Sequence, residues 1–194
     1  MNEVRSDVSF KVSKIFVEGF YQWLKFFSKD QKKLTKTFAH IFNPDVFYVA
    51  MIDEKVAGFA ACARPENPSV HLVQKEFRQH LGFWKGTLAY RILKKEFEDK
   101  PYPFSIPENM GMIEFVATDA EFFGQGVATR IIQHIQQTTP FKEYALEVAD
   151  TNLPAVKLYE KLGFREFQRV PEKHPKQSGL NFYLYLKNIP DKKI

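Results

Sequence analysis

The chain has 194 residues, a net charge of +5 with pI near 9.1, and 15% aromatic residues including 20 Phe. That length suits one folded domain with a sizeable core, and the composition excludes a disordered or low-complexity chain. The basic residues are scattered, there is no apolar run of about 18 residues, and no basic segment precedes an apolar one at the N-terminus, so neither nucleic acid nor membrane is expected as a partner. The single cysteine, Cys62, lies in the apolar run Gly58–Ala63 and reads as a buried small hydrophobe. Together these features favour the cytoplasm. His40, His71, His80, His134 and His174 are too dispersed for a metal-ligand spacing, so no metal is expected.

In chain order, Phe16, Phe20, Trp23 and Phe27 recur at three and four residues and predict a helix with one apolar face. Ser28-Lys29-Asp30-Gln31 has the Ser-x-x-Gln pattern of a capping box and predicts the start of a second helix that turns Leu34, Phe38 and Ile41 inward. Val46–Ile52 and Lys55–Ala63, separated by Asp53-Glu54, predict a hairpin. Ser69 is placed to cap a long helical segment with the stripe Val73, Phe77, Leu81, Trp84, Leu88 and Ile92. Gly82 and Gly86 leave it open whether this is one kinked helix or two. Its stripe reads as core, with a partner surface or a homodimer contact as the other use open to it.

After Pro101, Pro103 and Pro107 the chain alternates strand and helix: 112–118, 126–137, 144–148, 154–162 and 164–170, with a last strand at 181–186. This order predicts a central mixed sheet covered by helices, with parallel pairing across the crossover that follows a glycine turn. That turn, Gly124-Gln125-Gly126, runs from a strand into a helix whose first N–H groups are unpaired. No Asp or Glu occurs from Gly124 to Pro140, and Arg130 sits about one turn inside the helix, an arrangement suited to an arriving phosphate or, equally, to an Arg130 that points to solvent.

A P-loop is excluded by spacing, since the lysine position is not filled. A dinucleotide fingerprint lacks its third glycine, where Thr129 stands, although Asp150 could serve as the ribose acid. Phe123-Gly124-Gln125-Gly126-Val127-Ala128 resembles the pyrophosphate loop of the GNAT superfamily of acyl-CoA-dependent N-acetyltransferases, with Phe123 in place of its first Gln or Arg. Leu146 to Phe164, with Asn152, Ala155, Tyr159 and Gly163-Phe164, resembles the second half of the same motif region. Read from the residues alone, Asn152 caps a helix, Pro154 sits in its first turn and Gly163 ends it.

The resemblance covers roughly 45–65 and 111–187, and makes 69–109 a helical insertion in a single domain. It implies an α/β (α+β) fold: a mixed, largely antiparallel sheet, splayed at the cofactor cleft, with helices on both faces. It also implies acetyl-CoA as cosubstrate and a primary amine, on a small molecule or a peptide, as acceptor. Backbone groups of Val116, Ala117 and Thr118 would hold pantetheine, and Phe123, Gly124, Gln125, Gly126, Val127, Ala128 and Thr129 the pyrophosphate. Asn152 and Ala155 would meet pantetheine from the other side, and Lys157 and Lys161 either approach the adenosine phosphates or form a solvated helix face.

Transfer to an amine needs a base, because an alkyl ammonium has a pKa near 10.4, and an acid for the leaving thiolate. Glu114 is the candidate base, expected on one strand face with Val116 and Thr118 if no bulge intervenes. Tyr159 is placed by the resemblance as the acid. By the same resemblance the acceptor site is shaped by the first helix pair and the loop before the last strand, here Tyr21–Phe27 and Val170–Gly179, although packing explains the rings of Tyr21 and Trp23 equally well. A non-catalytic acyl-CoA-binding domain and a dinucleotide oxidoreductase are the rival readings.

Overall fold

The computed structural model of the chain describes residues 2–189. Helices α1 (Asn2–Leu24) and α2 (Gln31–Phe38) lead into strands β1 (Phe47–Ile52) and β2 (Lys55–Ala63), joined by a two-residue turn in which Asp53 and Glu54 take positive φ of 46° and 62°. Helices α3 (Gln74–Leu81) and α4 (Phe83–Leu93) follow, then a π-helical turn, Lys94–Glu98. The remainder runs β3 (Met110–Thr118), α5 (Val127–Thr138), β4 (Glu143–Ala149), α6 (Leu153–Lys161), β5 (Arg165–Pro171), α7 (Pro175–Ser178) and β6 (Phe182–Asn188). Among the described residues no helix is long and apolar enough to cross a membrane.

The six strands form one sheet in the order β1-β2-β3-β4-β6-β5. Only β3 and β4 are parallel, as the crossover through α5 requires, and the other pairs are antiparallel. One face is covered by a core shared by α1 to α4, built on Phe16, Leu34, Phe38, Phe59 and Phe77. The other carries α5 and α6 over Ile113, Ile131, Ile132, Leu146, Tyr159 and Phe164.

Several local expectations are corrected. Helix α2 is capped by Asp30, whose carboxylate accepts from Lys33 N at 3.0 Å, while Ser28 Oγ accepts from Asp30 N at 3.2 Å; the Ser-x-x-Gln box gives way to a cap two residues on. Ser69 does not cap α3. It is buried and its hydroxyl is spent on Glu114, and α3 starts at Gln74. The long stripe divides at Gly82 into two helices, which rotates its second half. Phe77 and Leu81 are buried, whereas Trp84 is 84% exposed and Leu88 and Ile92 also face solvent. Helix α4 buries Gly86, Ala89 and Leu93 instead.

Two features of the sheet prepare a site. First, β3 and β4 pair only from Met110↔Glu143 to Ile113↔Leu146, although both continue beyond, so they separate like the arms of a V. Second, β3 carries a bulge: Phe115 and Val116 stand opposite the single residue Ala60. Phe115 takes φ of +53°, a strained value for a bulky residue, and its ring lies 5.8 Å from Phe16 and Phe97 and 6.1 Å from Phe20. Burial of that ring in an aromatic cluster offsets the strain.

The end of β3 is held close to β2 because Gly58 has no side chain. A Cβ there would fall 2.6 Å from the Ala117 carbonyl oxygen and 2.9 Å from Val127 Cγ1, in the first turn of α5. Gly58→Ala should therefore destabilise the fold by about 1–3 kcal/mol, the usual cost of overpacking. Urea unfolding checks this, and an unchanged midpoint would show that β3 and α5 have room to move apart.

Candidate active site

The glycine turn is shaped by two left-handed residues, Gly124 at φ +77° and Gly126 at φ +75°. Space does not require glycine there, since an added Cβ would meet nothing within 4 Å. The backbone conformation requires it. Helix α5 begins with Gly126 as N-cap, no side-chain cap and no acid in its first turn. The first N–H with a carbonyl partner is that of Arg130, bonded to Gly126 O, so those of Val127, Ala128 and Thr129 have no backbone partner among the described residues. These donors and the helix dipole make a seat for an anion at the open end of the V. Phe123, ahead of the turn, is 68% exposed.

Glu114 follows the last residue of β3 that pairs with β4, and Glu147 follows its partner on β4, so the two carboxylates flank the point where the strands part. The bulge overturns the expectation that Glu114, Val116 and Thr118 share a face. Ile113 and Val116 belong to the α5/α6 side, Phe115 and Ala117 to the α1–α4 side, and Glu114, next to Ile113, turns to the latter. There Ser69 Oγ donates to one carboxylate oxygen of Glu114 and the Tyr102 hydroxyl to the other. Burial is the main reason its pKa is pushed up to about 7; the Ser69 hydrogen bond opposes the rise and Glu147 adds to it. Glu147 is itself bridged by Lys100 Nζ, 2.9 Å from both its oxygens. A carboxyl at pH 7 with this environment exchanges a proton readily.

Tyr159, on α6, is buried on the opposite face of the sheet and packs with Phe164 at a ring distance of 6.1 Å. Burial alone raises its hydroxyl to about 12, so it stays protonated and able to donate. Asn152 caps α6, its Oδ1 accepting from Ala155 N at 3.4 Å, and Asn152 and the glycine turn stand at the ends of the two diverging strands. Lys161 is at the far end of α6, about 13 Å along the axis from Asn152. With Lys157, Glu160 and Arg165 it lines a separate surface depression of about 400 Å³. Asp150 is occupied: although burial opposes it, the N–H groups of Asn181 and Phe182 hold its carboxyl below the usual range.

A second cavity, about 590 Å³, contains Glu114 and is lined by 63–69 and 97–106. It is not lined by Tyr21–Phe27 or Val170–Gly179, where the acceptor was expected. Tyr21 donates instead to Lys29 O at 3.0 Å and closes the turn after α1. The hydroxyls of Ser69 and Tyr102 were missed from sequence, because nothing local to either signals a carboxylate 45 and 12 residues away.

The raised pKa of Glu114 has a consequence for stability. Its folded-state value of about 7 lies above the ordinary 4.5, so the folded state holds the extra proton and this group's contribution falls as pH rises from about 4.5 to 7. Glu114→Gln, which removes the buried charge, should be more stable than the parent at pH 8 by up to about 3 kcal/mol and nearly equal at pH 5. Thermal melts at both pH values check this; a variant less stable at pH 8 would mean the carboxylate is well solvated.

Comparison with known proteins bears on the fold and the family. No curated protein matches the chain by sequence. Among solved structures, an N-acetyltransferase from Staphylococcus aureus Mu50 is similar at 20% identity and TM-score 0.58, covering 97% of each chain. A protein described only as an acetyltransferase is similar at 14% identity and TM-score 0.60, covering 96% of each. PH1933 from Pyrococcus horikoshii OT3 is similar at 15% identity and TM-score 0.54, covering 93% of this chain and 89% of its own. At such identities these likenesses bear on the fold. Residues 13–164 match the acetyltransferase (GNAT) family, and the chain, with its glycine turn, parted strands and buried glutamate, belongs to that family.

Proposed function

We propose that the protein transfers the acetyl group of acetyl-CoA to a primary amine by direct attack within a ternary complex. The observation that carries this reading is the parting of β3 and β4 after Ile113 and Leu146, with free N–H donors of α5 at its mouth and a buried carboxyl at its apex. A long, anionic, amide-containing ligand fits such a slot: the donors of Val127 to Thr129 suit a pyrophosphate, and the unladdered edge of β3 at Val116–Thr118 suits an extended arm. Acetyl-CoA supplies the acyl group already activated as a thioester.

The chain's own residues supply the proton chemistry. Glu114 takes the proton of the incoming ammonium, and Ser69 and Tyr102 keep its two oxygens in place whether or not it is ionised. Backbone N–H groups of β3 beyond its last pair with β4 serve to stabilise charge on the carbonyl oxygen. Tyr159 holds its proton on the opposite face of the sheet for the departing sulfur. Base and acid thus stand on opposite sides of the slot, which keeps the amine and the thiol apart.

The dinucleotide reading has little support: β3, which carries the turn, is antiparallel to β2, so the turn does not open a doubly wound parallel sheet, and Asp150 is engaged elsewhere. Tyr159→Phe should lower kcat at least about tenfold while the rise of activity with pH through about 7, set by ionisation of Glu114, persists. Thiol release measured from pH 6 to 9 tests both parts. Unchanged turnover would remove Tyr159 from the chemistry, and full activity at pH 5.5 would remove Glu114.

A further inference from the structure

The cavity of about 590 Å³ above Glu114 differs in charge from the rest of this basic protein. Its ionic contacts do not balance. Arg64 pairs with Glu66, and its guanidinium also donates to the carbonyls of Pro107, Glu108 and Met110, fixing it as a strut. Lys100 is matched by Glu147 at 2.9 Å. Lys94 alone serves two carboxylates, Glu98 at 2.6 Å and Asp99 at 3.0 Å. The π-helical turn is the cause: its wider winding, closed by Asp99 N to Lys94 O at 2.8 Å, brings the side chains four and five residues on toward one ammonium. Glu114 has hydroxyl donors and no cation in contact among the described residues.

Two negative charges are therefore left over in one cavity, one at Glu98/Asp99 on the wall and one at Glu114 on the floor. The same cavity is lined by Phe97, Pro101, Tyr102, Phe104 and Ile106, and its lining cation Lys100 is held on Glu147. An apolar lining that carries two anionic groups matches an alkyl chain with an amine at each end.

We propose that the acceptor is an aliphatic diamine or longer polyamine, bound with one amino group at Glu114 and a second, still protonated, at Glu98/Asp99. This rests on the acetyltransferase reading and names its substrate class. The ammonium at Glu114 gives its proton to the carboxylate, and the neutral nitrogen forms the C–N bond as the thioester C–S bond breaks. The sulfur leaves with the electron pair and takes the Tyr159 proton, and the second proton that the nitrogen loses as the amide forms restores Tyr159, giving a mono-N-acetylated amine and free CoA. The second ammonium has an ordinary pKa near 10.4 and is not consumed. Tyr102, which closes the cavity and holds Glu114, ties recognition to the base.

The test is steady-state thiol release at pH 8 and low salt, with saturating acetyl-CoA and four acceptors: n-butylamine, 1,4-diaminobutane, spermidine and a short peptide with a free N-terminus. The diamine and spermidine should exceed n-butylamine and the peptide by at least about tenfold in kcat/KM. Asp99→Asn, at a half-exposed side chain whose ionic contact in the fold is Lys94, should cut that preference about tenfold, with the loss in KM rather than kcat. Equal or better rates with n-butylamine or the peptide would overturn the proposal, as would a preference that survives Asp99→Asn. Acetyl-CoA binding followed by thermal shift separates the two readings. Binding without reaction of any di- or polyamine overturns only the acceptor class, and absence of binding overturns the acetyltransferase reading with it.

Discussion

The site depends on one contorted residue. Phe115, at φ +53°, is held in a conformation that a bulky side chain rarely adopts because its ring is locked among Phe16, Phe20 and Phe97. The extra residue it introduces reverses the facing of β3 from that point on. Glu114 is thereby directed to the α1–α4 side while Val116 stays on the side of α5 and α6. The aromatic cluster of the N-terminal helices, remote in sequence, thus fixes the geometry of the strand that bears Glu114. Gly58 complements it by letting the end of β3 and the first turn of α5 lie against β2.

Much of this organisation was legible in the sequence because its signals are local. Asp53-Glu54 between two β-rich runs gave the hairpin, and Gly124 and Gly126 gave a turn whose backbone angles only glycine adopts freely. The strand and helix alternation after Pro107 gave the parallel pair across the crossover, and the resemblance gave the largely antiparallel remainder. What failed was what tertiary contacts decide. Ser28 and Ser69 both had the pattern of helix caps, but Asp30 was better placed in one case and the Ser69 hydroxyl was claimed by Glu114 in the other. The apolar stripe through Trp84, Leu88 and Ile92 kept helical spacing yet lost the core when Gly82 broke the helix and reset its rotation. Bulges carry no sequence signature, so the face of Glu114 relative to Val116 was beyond a period-two reading.

The electrostatic design separates two demands. The mouth of the V offers backbone donors, an N-terminal helix dipole and no carboxylate in the first turn of α5, which favours an anion. The apex offers a carboxyl whose burial keeps it poised near neutrality, with acids on the wall beside it, which favours a cation. The overall positive charge of the chain draws anions in general, so the cation preference proposed for the acceptor cavity is a local one. The segment 94–107 supplies that arrangement through Glu98, Asp99, Lys100 and Tyr102.

The central claim is that the parted strands and the glycine turn are one acetyl-CoA site. The most direct measurement is amide hydrogen exchange with and without acetyl-CoA, with NADH as the control ligand. The account predicts slowed exchange at Val116–Thr118 and Gly124–Thr129 with acetyl-CoA and none with NADH. Protection confined to other segments, or produced equally by NADH, would contradict it.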